Sequence, residues 1–394
     1  MIEGKLNDAA ASLLYGQVGG GPGSFIGPIH RAAIAMNNQA KLVAGSFSST
    51  PSKTIEVAKE LGIDVDRAYA DFHDMAVNEG TRTEDRIDFV IITVPNHLHF
   101  AVAKSFLEQG INIVCEKPMA FTEQEARELV ALTNAHKAEF MVTYTYTGYP
   151  MVREARNLVR TGALGTLRVI AAEYPQDWLA DPIERGNTNR QAVWRTDPKY
   201  AGVSCCVGDI GTHIENLVHF ITGLEIDKLA ASLETFVEGR PLDDNAYMLV
   251  KYKGGASGNY WSSQVAIGNE NGLRIRVYGT DGAVEWEQEN PNVLRFQKKG
   301  SPLQLLTRGS GYLSTAAGHV TRLHAGHPEG YFEAFANLYQ GFCNVLTARK
   351  HGQSPDPLDI FPTVVDGARG TKFVFDSVKS SKEGGAWVDA SFDI

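Results

Sequence analysis

Three residues in this sequence have the types and spacing needed to move protons. Lys117 follows the run INIVC (Ile111–Cys115) within the string EKP, Glu116–Pro118. β-Branched apolar residues favour a buried strand. A charged pair delivered at the end of such a strand is costly unless it is paired or used. Asp209 and His213 stand four residues apart in GDIGTH, Gly208–His213. On a helix that spacing puts both side chains on one face. Histidine titrates close to neutrality, so His213 suits a general acid or base. The Lys117 ammonium can donate to an oxygen that gathers negative charge. Asp209 is placed either to hydrogen-bond a substrate or to tune His213.

A fourth feature supplies a ligand. VGGGPGSFIGPIH (Val18–His30) lies between the first apolar run and the first helical pattern. Glycines let backbone approach a pyrophosphate, and a helix N-terminus offers unpaired N–H groups to the anion. Gly19, Gly21, Gly23, Ser24, Phe25 and Ile26 are the candidate contacts. The spacing departs from G-x-G-x-x-G, because position 24 is serine. With Gly27 as third glycine the loop carries three extra residues. After the second strand an acid would select NAD, yet no Asp or Glu lies between Leu42 and Ile55. Ser48, Ser49 and Lys53 could hold a 2′-phosphate, or their hydroxyls could serve either cofactor. NAD and NADP both remain open.

The elements that must position these residues alternate through the first third. Strand patterns cover Leu13–Val18, Lys41–Ala44, Ile87–Val94 and Asn112–Cys115. Helix patterns cover Ile29–Met36, Thr54–Leu61, His99–Gln109 and Glu123–His136. Thr122 and Glu125 form a capping-box pattern for the last of these helices. The near-continuous run IDFVIITV suits a parallel strand covered on both faces. This rhythm predicts βαβ units and an α/β, doubly wound parallel sheet. Lys117 then stands at the carboxyl end of a parallel strand, where such sheets bind ligands.

Beyond about Met141 the rhythm changes. Helix patterns cover Val152–Thr161, Ile214–Thr222, Tyr331–Ala348 and Phe361–Lys379. Strand patterns follow one another over Thr166–Tyr174, Leu229–Val237, Ala246–Tyr252, Ala256–Val265, Leu273–Gly279 and Ala283–Glu287, with Gly-containing turns between several of them. That predicts an α+β domain with a largely antiparallel sheet. Domains of 1–143 and 144–394 are expected, with the C-terminal helices able to pack back on the first.

Bulk properties exclude several classes. A chain of 394 residues exceeds what one core usually supports. Net charge is −9 without a Lys/Arg-dense block, which argues against nucleic acid and anionic membrane as partners. The N-terminal stretch lacks a basic segment followed by a long apolar run, so no signal peptide is expected. Four cysteines without a C-x-x-C pair fit a reducing cytoplasm.

Together the segments resemble the glucose–fructose oxidoreductase / inositol dehydrogenase / MocA (Gfo/Idh/MocA) family. The resemblance rests on the glycine loop with Gly27-x-x-His30, on TVPNHLH at Thr93–His99 and on EKP. It rests also on VWRTDPKYAG at Val193–Gly202 ahead of GDIGTH. It covers essentially the whole chain, and the pairing of EKP with D-x-G-x-H is its specific part. The long loop and GHPEGY (Gly326–Tyr331) resemble a less-characterised branch of dehydrogenases. The family implies a Rossmann domain, a second domain with a large open, mainly antiparallel sheet, and homodimers or homotetramers built through that sheet. It implies NAD(P)-dependent hydride transfer at a carbon of a sugar, glycoside or inositol. His213 is then the principal acid/base, assisted by Lys117 and Asp209, and the Lys117–Pro118 bond is cis.

Within that frame Thr93, Pro95, Asn96, His99, Glu116 and Lys117 are candidate cofactor contacts. Glu116 reaches the ribose or positions its loop, and His99 is a ligand neighbour or a helix-start residue. Lys117, Tyr146, Trp194, Arg195, Asp209, His213 and His327 are candidate substrate contacts. Packing is the alternative for Trp194 and Arg195, and a plain polar loop for His324 and His327. The arginine that much of the family carries near Tyr144 and Tyr146 is missing, which implies different substrate contacts. Cys205, Cys206, Asp209 and His213 have types that suit zinc, but no second cluster completes a set, and no metal is expected. A dinucleotide-binding sugar sensor and a redox-assisted lyase or glycosidase with tightly held NAD are the rival functions.

Overall fold

The computed structural model describes residues 13–187 and 189–393, and the N-terminal stretch read above lies outside them. Two compact units form. The first takes the described residues up to Ala120 with Gln124–Gly148 and Tyr331–Gly367. The second takes Phe121–Glu123, Tyr149–Gly330 and the described residues from Ala368.

In the first unit strands and helices alternate: β1 (Leu13–Gly19), α1 (Ile26–Ala35), β2 (Ala40–Ser46), α2 (Pro51–Glu60), α3 (Phe72–Thr81), β3 (Phe89–Thr93), α4 (His99–Leu107), β4 (Asn112–Cys115), α5 (Glu123–His136) and β5 (Phe140–Val142). All strand pairs are parallel, in the order β2-β1-β3-β4-β5. A lone parallel bridge from Gly45 to Ala68 takes the place beyond β2. Counting it, the order becomes that of the doubly wound dinucleotide fold, with its switch point between β1 and β3. β3 is buried along its whole length, as a strand covered on both faces must be.

Helix α3 and strand β5 are absent from the sequence reading. α3 turns a carboxylate inward: Glu79 is 0% exposed. It accepts from Arg67 Nε at 2.9 Å and from Tyr69 Oη at 2.8 Å. A charged inward position blurs an apolar stripe. Three residues of β5 are too few to show a period.

The second unit contains α6 (Pro150–Arg160), β6 (Leu167–Pro175), α7 (Arg190–Arg195), α8 (Pro198–Ala201), α9 (Thr212–Thr222), β7 (Ile226–Glu234), β8 (Asn245–Tyr252), β9 (Ser257–Ser263), β10 (Arg274–Gly279), β11 (Gly282–Glu287), β12 (Val293–Lys298), β13 (Gln304–Thr307) and α10 (Thr315–His319). Two helices and a short strand follow: α11 (Tyr331–Lys350), α12 (Val364–Lys382) and β14 (Val388–Asp389). The nine-stranded sheet runs β13-β12-β11-β10-β6-β9-β8-β7-β14. Every pair in it is antiparallel except β6 with β9. β12 and β13 were not anticipated. They lie toward one edge, and β13 is mostly exposed, so neither shows strong alternation.

Alternation decides what this sheet covers. Met248, Val250, Tyr252, Tyr260, Ile170, Ile275 and Val277 are buried, while Tyr247, Leu249, Val169 and Tyr278 are 41–55% exposed. α11 belongs to the first unit. Its Phe335, Leu338, Tyr339 and Phe342 pack with Leu13, Phe89, Ile91, Val114 and Met141 from β1, β3, β4 and β5. Among the described residues, no helix is long and apolar enough to cross a membrane.

Candidate active site

The glycine loop leaves β1 and enters α1. Gly19, Gly20 and Gly23 have φ of +82°, +74° and +78°, the left-handed region that favours glycine. A Cβ on Gly21 would stand 2.5 Å from Phe47 O, and one on Gly27 would stand 2.3 Å from Gly20 Cα. Gly27 therefore serves as the third glycine, letting α1 pack backbone to backbone on the loop. Ser24 Oγ accepts the Gly27 N–H at 3.2 Å, and the first turn of α1 carries no acidic residue. These features fit a dinucleotide pyrophosphate. Phe25 is 67% exposed.

At the end of β2, Ser48 Oγ accepts the Thr50 N–H, and its own N–H goes to Thr54 Oγ1, both at 3.1 Å. Lys53 is exposed. At the end of β3, Thr93 Oγ1 donates to Val18 O at 3.2 Å and accepts from Gln17 Nε2 at 3.3 Å. Thr93 thus ties together the carboxyl ends of β1 and β3. Pro95 and Asn96 begin the short turn into α4.

At the end of β4, the Lys117–Pro118 peptide is cis. Glu116 is encircled by donors: His30 Nε2 at 3.1 Å and Thr143 Oγ1 at 2.5 Å reach Oε1, and the Lys117 N–H reaches Oε2 at 3.3 Å. Burial opposes its charge. The His30 ring, the Lys117 ammonium and the Thr143 hydroxyl outweigh burial and hold the carboxyl at about 2. His30 Nδ1 in turn meets Tyr339 Oη at 2.5 Å. His99 is 1% exposed, with Nδ1 2.8 Å from Pro118 O and Nε2 2.9 Å from Val94 O. Burial pushes its pKa down more than the two carbonyls push it up. Tyr144 and Tyr146, after β5, are buried in this same unit.

The second unit gathers Trp194, Arg195, Asp209 and His213. Residues Val207–Gly211 make a π-helical turn that runs into α9, a distortion found often at functional sites. Asp243 anchors its entry: Oδ1 accepts from Cys205 N, and Oδ2 from Val207 N, each at 3.0 Å. A Cβ on Gly211 would sit 3.0 Å from Val207 Cγ1, a tight approach to a side-chain methyl. Asp209 Oδ2 accepts from Gln264 Nε2 at 2.9 Å and from Arg195 Nε at 3.2 Å. The Arg195 guanidinium lies over the Trp194 ring at 4.1 Å and the Trp178 ring at 5.7 Å. His213 is 8% exposed and meets the Tyr174 ring edge-on at 6.1 Å. Tyr174 Oη and Gln176 Nε2 both donate to Asn271 Oδ1, at 2.7 and 2.8 Å, and Trp178 Nε1 donates to Gln176 Oε1 at 3.0 Å.

His324 and His327 lie on an exposed loop of the same unit. The buried Arg308 gathers that loop's backbone through the carbonyls of Leu323, His324 and His327, and pairs with Glu329 at 2.7 Å. Cys205 Sγ donates to Gln264 Oε1 at 3.3 Å, and burial pushes the Cys205 and Cys206 thiols well up. Among the described residues, no three His, Cys, Asp or Glu side chains are grouped to hold a metal ion.

Sequence reasoning missed Thr143, Tyr339, Asp243 and Gln264, and gave His30 no role. Only His30 carried a local signal, its place three residues after Gly27.

Comparisons with known proteins agree with these halves. Residues 15–144 match the oxidoreductase family with an NAD-binding Rossmann fold, and residues 152–285 match the GFO/IDH/MocA C-terminal domain. An uncharacterised oxidoreductase of Bacillus subtilis, YfiI, is 34% identical over 96% of both chains. Levoglucosan dehydrogenase of Pseudarthrobacter phenanthrenivorans is 26% identical over 72% of this chain and 76% of its own. Among solved structures, an inositol dehydrogenase homologue of Azotobacter vinelandii complexed with NAD+ superposes with a TM-score of 0.91. It is 39% identical and covers 97% of this chain and 98% of its own. The same homologue with NADH and myo-inositol gives a TM-score of 0.88 at 38% identity, over 96% and 97%.

Proposed function

Because the chain belongs to the GFO/IDH/MocA family of NAD-binding oxidoreductases, we propose that it oxidises or reduces one secondary alcohol of a cyclic polyol: an inositol, a sugar or a glycoside. The nicotinamide, when bound, supplies the hydride acceptor or donor. The loop from Gly19 to Gly27 binds the dinucleotide phosphates through backbone N–H groups. His213 takes the hydroxyl proton as the hydride leaves, and returns it in the reverse direction. Lys117 donates to the same oxygen and stabilises its developing charge. Asp209, fixed by Arg195 and Gln264, orients His213 or a substrate hydroxyl.

The observation that carries this reading is the polar and aromatic setting of Asp209 and His213. Arg195, stacked on Trp178 and Trp194, and the buried Gln264 hold the Asp209 carboxylate, and Tyr174 packs edge-on against His213. A fixed carboxylate and an imidazole thus stand together among aromatic rings, a setting that suits a cyclic polyol. The inositol and levoglucosan relatives favour cyclic polyols over linear ones. The test is reduction of NAD and of NADP across inositols, aldoses, glycosides and anhydrosugars. Turnover of at least one cyclic polyol is expected. Dinucleotide binding without any turnover would make the chain a sensor, and tight, non-exchanging NAD would favour the lyase.

We also assign homo-oligomerisation to the open face of the nine-stranded sheet. Tyr247 and Trp261 stack there, beside exposed Leu249. Register continues the face into the ion pairs of Arg274 with Glu285 and Arg276 with Glu173. Leu249→Glu should yield monomers by sedimentation, and an unchanged assembly would place the interface elsewhere. Four buried, unpaired cysteines suit a cytoplasmic enzyme.

A further inference from the structure

Two buried histidines grip the turn that carries Lys117, and neither has been given a part in the reaction. His30 holds the residue before the lysine, through Glu116 Oε1 at 3.1 Å. His99 holds the residue after it, through Pro118 O at 2.8 Å. Each ring is then tied to a second element. His30 reaches Tyr339 on α11 at 2.5 Å, and His99 reaches Val94 O at the end of β3 at 2.9 Å.

We propose that His30 and His99 are positioning residues that fix the Lys117 turn from both sides, with Tyr339 holding the far side of the His30 ring. This rests on the reading of Lys117 as a group in the hydride-transfer site.

The proton arrangement follows from the partners. Burial pushes the Tyr339 phenol well up, so it stays protonated. The Glu116 carboxylate only accepts, so His30 Nε2 carries a hydrogen aimed at it, and the Tyr339 hydroxyl can serve Nδ1 as either donor or acceptor. Thr143 and the Lys117 N–H complete the ring of donors. The carboxylate cannot turn away without leaving a buried donor unpaired. Phe335 packs edge-on against the His30 ring at 4.7 Å and prevents its rotation. Burial favours the neutral His99 ring, which donates to one carbonyl and holds Pro118 O in its Nδ1–H form.

The placement of His30 also has a consequence for ligand binding. It stands on α1, one turn after Gly27, whose close approach to Gly20 seats the helix on the glycine loop. One rigid helix therefore joins the dinucleotide loop to the lysine turn. Anything that seats α1 seats Glu116 and Lys117 with it.

The experiment compares His30→Leu, His30→Gln, Tyr339→Phe and His99→Leu with the parent chain. One readout is kcat against KM for a polyol that the enzyme turns over. The other needs neither cofactor nor turnover: the rate of reductive methylation of Lys117, followed by peptide mass spectrometry with exposed Lys53 as internal control. Misplacing a reacting group by about an ångström lowers turnover on the order of a hundredfold. His30→Leu and His99→Leu should lower kcat about 10- to 100-fold with KM changed less than about threefold, and should alter Lys117 methylation about threefold or more relative to Lys53. His30→Gln, which keeps an N–H donor, should restore most of both. Tyr339→Phe, which preserves volume, should give the same pattern more weakly, and it decides the matter if the leucine variants do not fold. Parent-like methylation of Lys117 in the folded variants overturns the proposal. If no polyol is turned over, the functional reading fails, and methylation alone still decides the positioning.

Discussion

The two chemistry-bearing segments are held in different ways. The Glu116–Lys117 turn hangs from a strand end and is gripped by His30 of α1, His99 of α4 and Thr143 just after β5, with three donors on one carboxylate. The Asp209–His213 segment holds its own shape, as a π-helical turn anchored on Asp243. Its acid is held by Arg195 and Gln264 among its partners. A strand end is a backbone terminus, so its side chains need outside support. A helical segment carries its support in its own hydrogen bonds, and needs help only in aiming the acid. The first arrangement spreads its dependence over several donors, and the second concentrates it in few.

The largest effects should come from the proton-handling groups themselves. Lys117→Ala and His213→Ala should each lower kcat about 10²- to 10⁴-fold while dinucleotide binding, followed by titration calorimetry, persists. Near-parental turnover in either folded variant would remove that residue from the reaction.

Next is the acid response of the first arrangement. The Glu116 carboxyl sits at about 2, against an ordinary 4.5. A depressed carboxylate stabilises the fold above its unfolded pKa, and that contribution disappears as pH falls from about 4.5 toward about 2. The contribution is on the order of 3 kcal/mol. Denaturant unfolding should show Glu116→Gln less stable than the parent by a constant amount above about pH 5, with the gap narrowing below it. A gap that does not narrow in acid would mean that the charge is not what the ring of donors stabilises.

The smallest effect addresses the comparison directly. Gln264→Leu removes the amide that donates to Asp209 and should lower kcat about tenfold. Thr143→Val removes one of three donors to Glu116 and should lower it about threefold or less. Equal losses would erase the distinction between concentrated and distributed support.

Much of this was legible in the residues. Asn112–Cys115 and Glu123–His136 have the boundaries the pattern implied, because β-branched runs and caps act over a few residues. The glycine loop, EKP and D-x-G-x-H announced themselves because each must hold its local shape wherever it sits. Gly27 as third glycine was suggested by spacing, and its contact with Gly20 gives the reason. Other features left no local trace. α3 hid its inward face behind Glu79, whose partner Arg67 satisfies the charge.

By itself, the sequence determined the alternation of strands and helices and the dinucleotide loop, which are written in periodicity and short spacings. Its motifs carried the family resemblance from which Lys117, Asp209 and His213 are proposed as the reacting groups. The tertiary structure alone decided what holds those residues still. Tyr339 is 309 positions from His30, and Gln264 is 55 from Asp209. Such pairs leave no periodic mark, because a hydrogen bond between distant residues exists only once the chain has closed around it.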